Sequence, residues 1–174
     1  AGPWTPHLFP ALAPLLKVTR KTLAWFRPRV PIANFPVVCI DDETGVFSMP
    51  TPEGLIKIGL DAVGEVDDIL GDDGARSEED AAPVLAAARK YFPMLDPEPV
   101  RIHGCRYTST VDGNFLIAPA GNTLVISCCS GHGFKYAPAI GEAAASWVEG
   151  REHTALAAFG PGQTIEPMHM GRRS

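Results

Sequence analysis

The chain has 174 residues, 45% of them hydrophobic and 20% charged, a composition that suits a globular protein with one sizeable core. Its formal net charge of −5 comes without a basic stripe interleaved with aromatics, which sets aside nucleic acid and acidic membrane surfaces as partners and leaves small molecules or other proteins. No apolar run approaches the ~20 residues that span a bilayer, and the start AGPWTPHLF lacks the charged-then-apolar order of a signal peptide, so the cytoplasm is the expected location.

Pro3, Pro6, Pro10 and Pro14 interrupt the opening residues, so Trp4 to Leu16 reads as a loop with at most a short turn of helix. Residues 1–14 are read as a connector. LKVTRKTLAWF alternates in the period-two manner of a half-buried strand. FPVVCI and VFSM follow as strands around the turn DDETG, and GLIKIGLD is a further strand after PTPEG. In that strand Ile56 and Ile58 share one face and Lys57 points to the other with Leu55 and Gly59. A solvated outer-face lysine fits Lys57 as well as a functional one does.

Asp61 to Arg76, carrying DDIL, reads as an acidic surface loop. SEEDAAPVLAAARKYF is the clearest helix: Ser77 is its N-cap, acidic residues fill the first turn, and Arg89 and Lys90 lie near its end. Val84, Leu85, Ala88 and Phe92 form the face that would lie on a sheet. PEPVRIHGCRYTST starts another strand, NFLIAP is expected as its hairpin partner, and NTLVISCC as a third. The segment FKYAPAIGEAAASWVEG is read as a helix beginning near Phe134. The residues after Trp147 are read as a short packed segment, with a frayed tail over 161–174. Strands, a helix, strands and a helix predict an α+β fold, helices covering a largely antiparallel mixed sheet, with one body over 15–100 and further strands and a C-terminal helix over 101–160.

Cys39, Cys105, Cys128 and Cys129 show neither CxxC spacing nor a disulfide framework, so reduced thiols are expected. Cys39, Cys128 and Cys129 read as small apolar residues in strands. Cys105 sits between Gly104 and Arg106 with His103 and Arg101 close by, a cationic neighbourhood of the kind that favours a thiolate, though an inert thiol fits too. No metal site is expected, because His103 and Cys105 alone do not make one. Gly131 and Gly133 flank His132 just before the helix. Either they let the backbone approach a ligand, an anion at the helix terminus being favoured, or they serve packing in a plain loop. Ser130, His132 and Asp112 have the residue types of a hydrolytic triad but no nucleophile-elbow pattern.

Taken together, CRYTSTVDGNFLI, SGHGFKYAPAIGE, GLIKIG and AGPWTP resemble, in order and spacing, the sarcosine oxidase and N-methyltryptophan oxidase family of FAD-dependent amine oxidases, from Ala1 to about Phe159. The resemblance implies the substrate domain of a two-domain flavin amine oxidase, with part of the FAD-binding domain at both ends. It implies that Cys105 carries FAD as a thioether, with Tyr107 and Thr108 completing the motif. It matches Lys57 to the lysine that promotes reaction of the reduced ring with oxygen. Gly131, His132, Gly133 and Phe134 match the turn beside the flavin, and Lys135 matches a lysine that helps hold the substrate carboxylate. A histidine common four residues after the oxygen-activating lysine is Asp61 here, and an acidic group there favours an ammonium over a carboxylate, so Asp61 is expected to bear on substrate.

The family's initial GxGxxG turn has no counterpart in this sequence, so a second chain carrying that dinucleotide-binding half is the expected partner. The function implied is FAD-dependent oxidation of a secondary amine, an N-methyl or cyclic amino acid, to an imine with reduction of oxygen to hydrogen peroxide, in a split or truncated enzyme. The alternatives are a non-catalytic binding or assembly module and a flavin dehydrogenase with another acceptor.

Overall fold

The computed structural model describes residues 1–66 and 76–159. In chain order it contains α1 (Thr5–Leu8), β1 (Leu16–Phe26), β2 (Val38–Ile40), β3 (Val46–Pro50), β4 (Ile56–Leu60), β5 (Glu65–Val66), α2 (Glu78–Tyr91), β6 (Arg101–Thr110), β7 (Leu116–Ala120), β8 (Thr123–Ser127), α3 (Ala137–Val148) and α4 (Thr154–Ala158), with 3₁₀ segments at Gly2–Trp4, Pro10–Leu15 and Phe134–Tyr136. This is the α+β architecture expected from the sequence. The DDIL part of the acidic segment and the tail over 161–174 lie outside the described residues. The chain forms two compact units, Arg20–Arg106 and the residues Ala1–Thr19 together with those from Tyr107 on.

The Arg20–Arg106 unit is built on an antiparallel sheet. Leu23, Ala24, Trp25 and Phe26 of β1 face Gly59, Ile58, Lys57 and Ile56 of β4; β3 pairs with the other edge of β4, and β2 with β3. Period-two alternation divides these strands cleanly. Ala24, Phe26, Val46, Ile56, Ile58 and Leu60 lie on one face and form a buried core with Ala81, Val84 and Ala88 of α2 and Phe92 at its C-cap. The other face carries Leu23, Trp25, Phe47, Met49, Lys57 and Gly59. Helix α2 starts at a capping box, Ser77 Oγ accepting from Asp80 N at 3.1 Å while the Asp80 carboxylate accepts from Ser77 N at 3.0 Å. Its C-terminal end is tied to the β2–β3 turn by Tyr91, whose hydroxyl donates to Asp42 at 2.5 Å.

Three expectations are corrected. The proline-rich start is not a loop: prolines are tolerated in a first helical turn, and residues 2–15 form two 3₁₀ segments flanking α1. β6 pairs with β1 rather than with NFLIAP. Asp112 accepts from Asn114 N at 3.1 Å, and this local turn redirects the chain so that β7 pairs with β8, Leu116 opposite Ser127 and Ala120 opposite Thr123. The third concerns the helix expected from Phe134, which begins as α-helix only at Ala137. Pro138 has no N–H to give the Phe134 carbonyl, so that carbonyl instead accepts from Ala137 N in a 3₁₀ turn.

Candidate functional site

Lys57 stands at the middle of the sheet face opposite the core, with Trp25 and Met49 directly across on β1 and β3. Its Nζ lies 5.9 Å from the Trp25 ring centroid. Gly59 is the next residue on this face. A Cβ there would come within 2.4 Å of the Phe47 ring and 2.6 Å of Leu23, so the two apolar side chains close over the glycine. Asp61 continues the line past the end of β4. Its N–H donates to Gly45 O at 2.9 Å and its carbonyl accepts from the buried Lys21 ammonium at 2.5 Å, so its backbone is pinned while its side chain stays exposed.

Cys105 is a free, half-buried thiol in β6, its Sγ 3.9 Å from the Arg106 carbonyl. The cationic neighbour Arg101 is engaged elsewhere: its guanidinium pairs with Glu53 at 3.0 Å and stacks on Trp25 at 4.4 Å. The Arg76 guanidinium instead occupies the space over Gly104, where a Cβ would meet it at 2.4 Å. Sequence reasoning missed Trp25 and Arg76 altogether. The tryptophan had a visible signal, since it stands near the end of LKVTRKTLAWF, whose alternation marks a half-buried strand.

In the other unit the glycine turn is fastened to the Asp112–Asn114 turn. Ser130 Oγ donates to Asn114 O at 2.6 Å and accepts from Thr110 N at 3.3 Å. His132 Nε2 contacts Gly113 O at 2.9 Å and its ring packs on Phe115 at 4.9 Å. Ser130, His132 and Asp112 therefore bond to backbone or to Asn114 and not to one another, which is no triad geometry. The two glycines make room for protein rather than open space: a Cβ on Gly131, at φ +86°, would strike the Tyr107 ring at 2.5 Å, and one on Gly133 would strike the Cys128 carbonyl at 1.8 Å. Packing is thus the first requirement at both positions. The turn then delivers Phe134, 96% exposed, and Lys135, also exposed, its Nζ 5.3 Å from the Tyr136 ring. Burial pushes the Cys128 thiol up to about 12, with the neighbouring Cys129 adding to it, which makes Cys128 an inert packing residue.

The family model "FAD dependent oxidoreductase" matches residues 1–147. The chain belongs to the FAD-dependent oxidoreductase family. Within it, the chain is 32% identical over 168 residues to N-methyl-L-tryptophan oxidase of Salmonella dublin, covering 87% of this chain and 42% of that protein. The counterpart in Salmonella arizonae gives 32% over 164 residues, 84% of this chain and 41% of that protein. Among solved structures, a modified fructosyl peptide oxidase from Aspergillus nidulans superposes with a TM-score of 0.75 at 19% identity, covering 100% of this chain and 46% of that one. NikD, an amino acid oxidase essential for nikkomycin biosynthesis, gives 0.70 at 20%, covering 97% and 48%. The chain thus spans less than half the length of these relatives. Its residues fit the family's cofactor in donor chemistry: Cys105 is a reduced, partly accessible thiol, and Lys57 and Lys135 are not buried. Among the described residues no helix is long and apolar enough to cross a membrane.

Proposed function

We propose that this FAD-dependent oxidoreductase chain supplies the amine side of an oxidase active site. The substrate is a secondary amine, an N-methyl or cyclic amino acid, oxidised to the imine, and the acceptor is oxygen, reduced to hydrogen peroxide. The bound flavin supplies the two-electron chemistry. The remaining dinucleotide-binding portion, by which the relatives exceed this chain, works with it in the same polypeptide or as a companion.

The observation that carries the reading is the placement of Lys57: an ammonium on the face of a rigid sheet opposite its core, walled by Trp25 and Met49 with Phe47 and Leu23 closing the next position. In such a partly apolar setting a fixed cation stabilises developing negative charge more than it would in water. Lys57 is assigned to the oxygen-reducing step on this ground. Lys135, exposed at the end of the SGHGF turn, is assigned to the substrate carboxylate. Asp61, pinned through its backbone, is assigned to the cationic end of the substrate and disfavours substrates that place a carboxylate there. Cys105 is assigned to covalent attachment of the flavin, and Tyr107 to the same site. Four free cysteines among the described residues suit a reducing, cytoplasmic compartment.

The test is turnover of N-methyl and cyclic amino acids by the protein carrying both portions, with peroxide measured directly. Peroxide formation that Lys57→Met abolishes, while oxidation with an artificial acceptor persists, is the expected result. Full turnover with the artificial acceptor but none with oxygen in the unmodified protein would identify a dehydrogenase. No bound flavin and no oxidation at all would leave a binding module.

A further inference from the structure

Lys57 stands beside a second cation, and the two share one indole. Trp25 is on β1 between β4 and β6, only 9% exposed, with its carbonyl accepting from Val100 N at 2.7 Å. On the β4 side, Lys57 lies directly opposite, Nζ 5.9 Å from the ring centroid. On the β6 side, Arg101 stacks its guanidinium over the same ring at 4.4 Å. Arg101 is in turn held by Glu53 at 3.0 Å. Glu53 projects from the β3–β4 turn, which is closed by Thr51 N donating to Leu55 O at 2.8 Å and by Thr51 Oγ donating to the same carbonyl at 3.1 Å. Hydrogen bonds within its turn, and then Arg101, hold the Glu53 carboxyl below the usual range, so it stays ionised wherever the protein is folded near neutral pH.

These contacts form a strap, Glu53 to Arg101, drawn across Trp25. An indole face attracts a cation by its quadrupole, but the ring serves Lys57 only if it keeps one orientation. Without the strap, the face of Trp25 that Arg101 covers at 4.4 Å loses its cover, and the lysine, a flexible four-carbon stem, faces a ring held on one side fewer. The arginine is the more weakly hydrated cation and stacks flat on aromatic rings, which suits it to the clamping position.

We infer that Trp25, Arg101 and Glu53 are positioning residues for Lys57: the Glu53–Arg101 strap fixes the Trp25 ring, and the ring fixes the lysine ammonium. This rests on the proposed role of Lys57 only for its consequence in catalysis, not for the positioning itself.

The experiment compares Arg101→Met, which keeps the stem and loses the cation, with Trp25→Phe and with the unmodified flavin-loaded protein. Two readouts are taken: the rate at which Lys57 is acetylated, followed by peptide mass, and the rate of reoxidation by oxygen after anaerobic reduction with amine. Acetylation of Lys57 is expected to rise ~2–5-fold in both variants, the factor that corresponds to a partly exposed cation–π contact. Reoxidation is expected to slow by a similar factor, and the Arg101→Met effect is expected to vanish in a Lys57→Met background. Unchanged Lys57 acetylation overturns the inference. So does an Arg101→Met slowing that is equally large without Lys57, which is what general loosening of the sheet would produce. Faster acetylation together with normal reoxidation in Lys57→Met supports the positioning and overturns the oxygen role instead.

Discussion

The Arg20–Arg106 unit and the residues from Tyr107 onward are held together by different means. In the first, one sheet face and α2 bury Phe26, Val46, Ile58 and Val84 almost completely, and hydrogen bonds mostly finish the edges. In the second, a smaller apolar set around Leu116, Ile117, Ala118, Val125 and Ala143 is buried, and a hairpin and a pair of turns are laced by Ser130, His132 and Asn114. Thr108, Ser127 and Ser146 are buried there, as Ser48 is in the first, with hydroxyls that find no partner among the described residues, and Phe134 and Val148 lie exposed. The contrast teaches where each part spends its sequence: the first on a core that holds Lys57 on a rigid strand, the second on turn geometry that delivers Phe134 and Lys135 to the surface.

Lys57→Met should give the largest effect, slowing the oxygen step by ~10²–10³, the usual loss when one preorganised charge-stabilising group is removed; stopped-flow reoxidation measures it. Next comes the core. Ile58→Ala should cost ~2–5 kcal/mol by thermal or denaturant unfolding. Ser146→Ala and Thr108→Val should stay within about 1 kcal/mol or stabilise, because a buried hydroxyl without a partner contributes no hydrogen bond to lose. Equal costs in both units would remove the distinction drawn above.

In the glycine turn, Gly133→Ala should abolish stable folding of the hairpin region, since a methyl there meets the Cys128 carbonyl. Gly121→Ala, with open space around it, should cost only about 1 kcal/mol, from its positive φ. The smallest effect concerns pH. Hydrogen bonds from Tyr91, then Thr44, hold the Asp42 carboxyl well below the usual carboxylate range, so their contribution is present above the unfolded value of ~3.9 and is lost as pH falls through the lower folded value. Tyr91→Phe should therefore flatten the fall in Tm on acidification from about pH 5 to 2.

Much of this was legible because the residues repeat a period. Ile56, Ile58 and Leu60 alternate with Lys57 and Gly59, so the core face and the lysine face of β4 followed from spacing, and Ser77 with Asp80 fixed the start of α2. The pairing of β6 was not legible, because a strand's partner depends on where the chain goes after Asp112 and Asn114, and a short Asx turn leaves little trace in hydrophobicity. Nor was the Trp25–Arg101–Glu53 strap, whose members lie far apart in sequence and meet only through sheet order. Gly131 and Gly133 showed in the sequence that the backbone needed room, but not that Tyr107 and Cys128 would take it.

The central claim, that the chain is the amine side of a covalent flavin oxidase, is tested most directly by acid-precipitating the purified protein and weighing the peptide that holds Cys105. Yellow colour that stays with the precipitate, an FAD-sized addition on that peptide, and loss of both in Cys105→Ala are predicted. A colourless precipitate with an unmodified Cys105 peptide, from protein that was yellow and active beforehand, would contradict covalent attachment through Cys105.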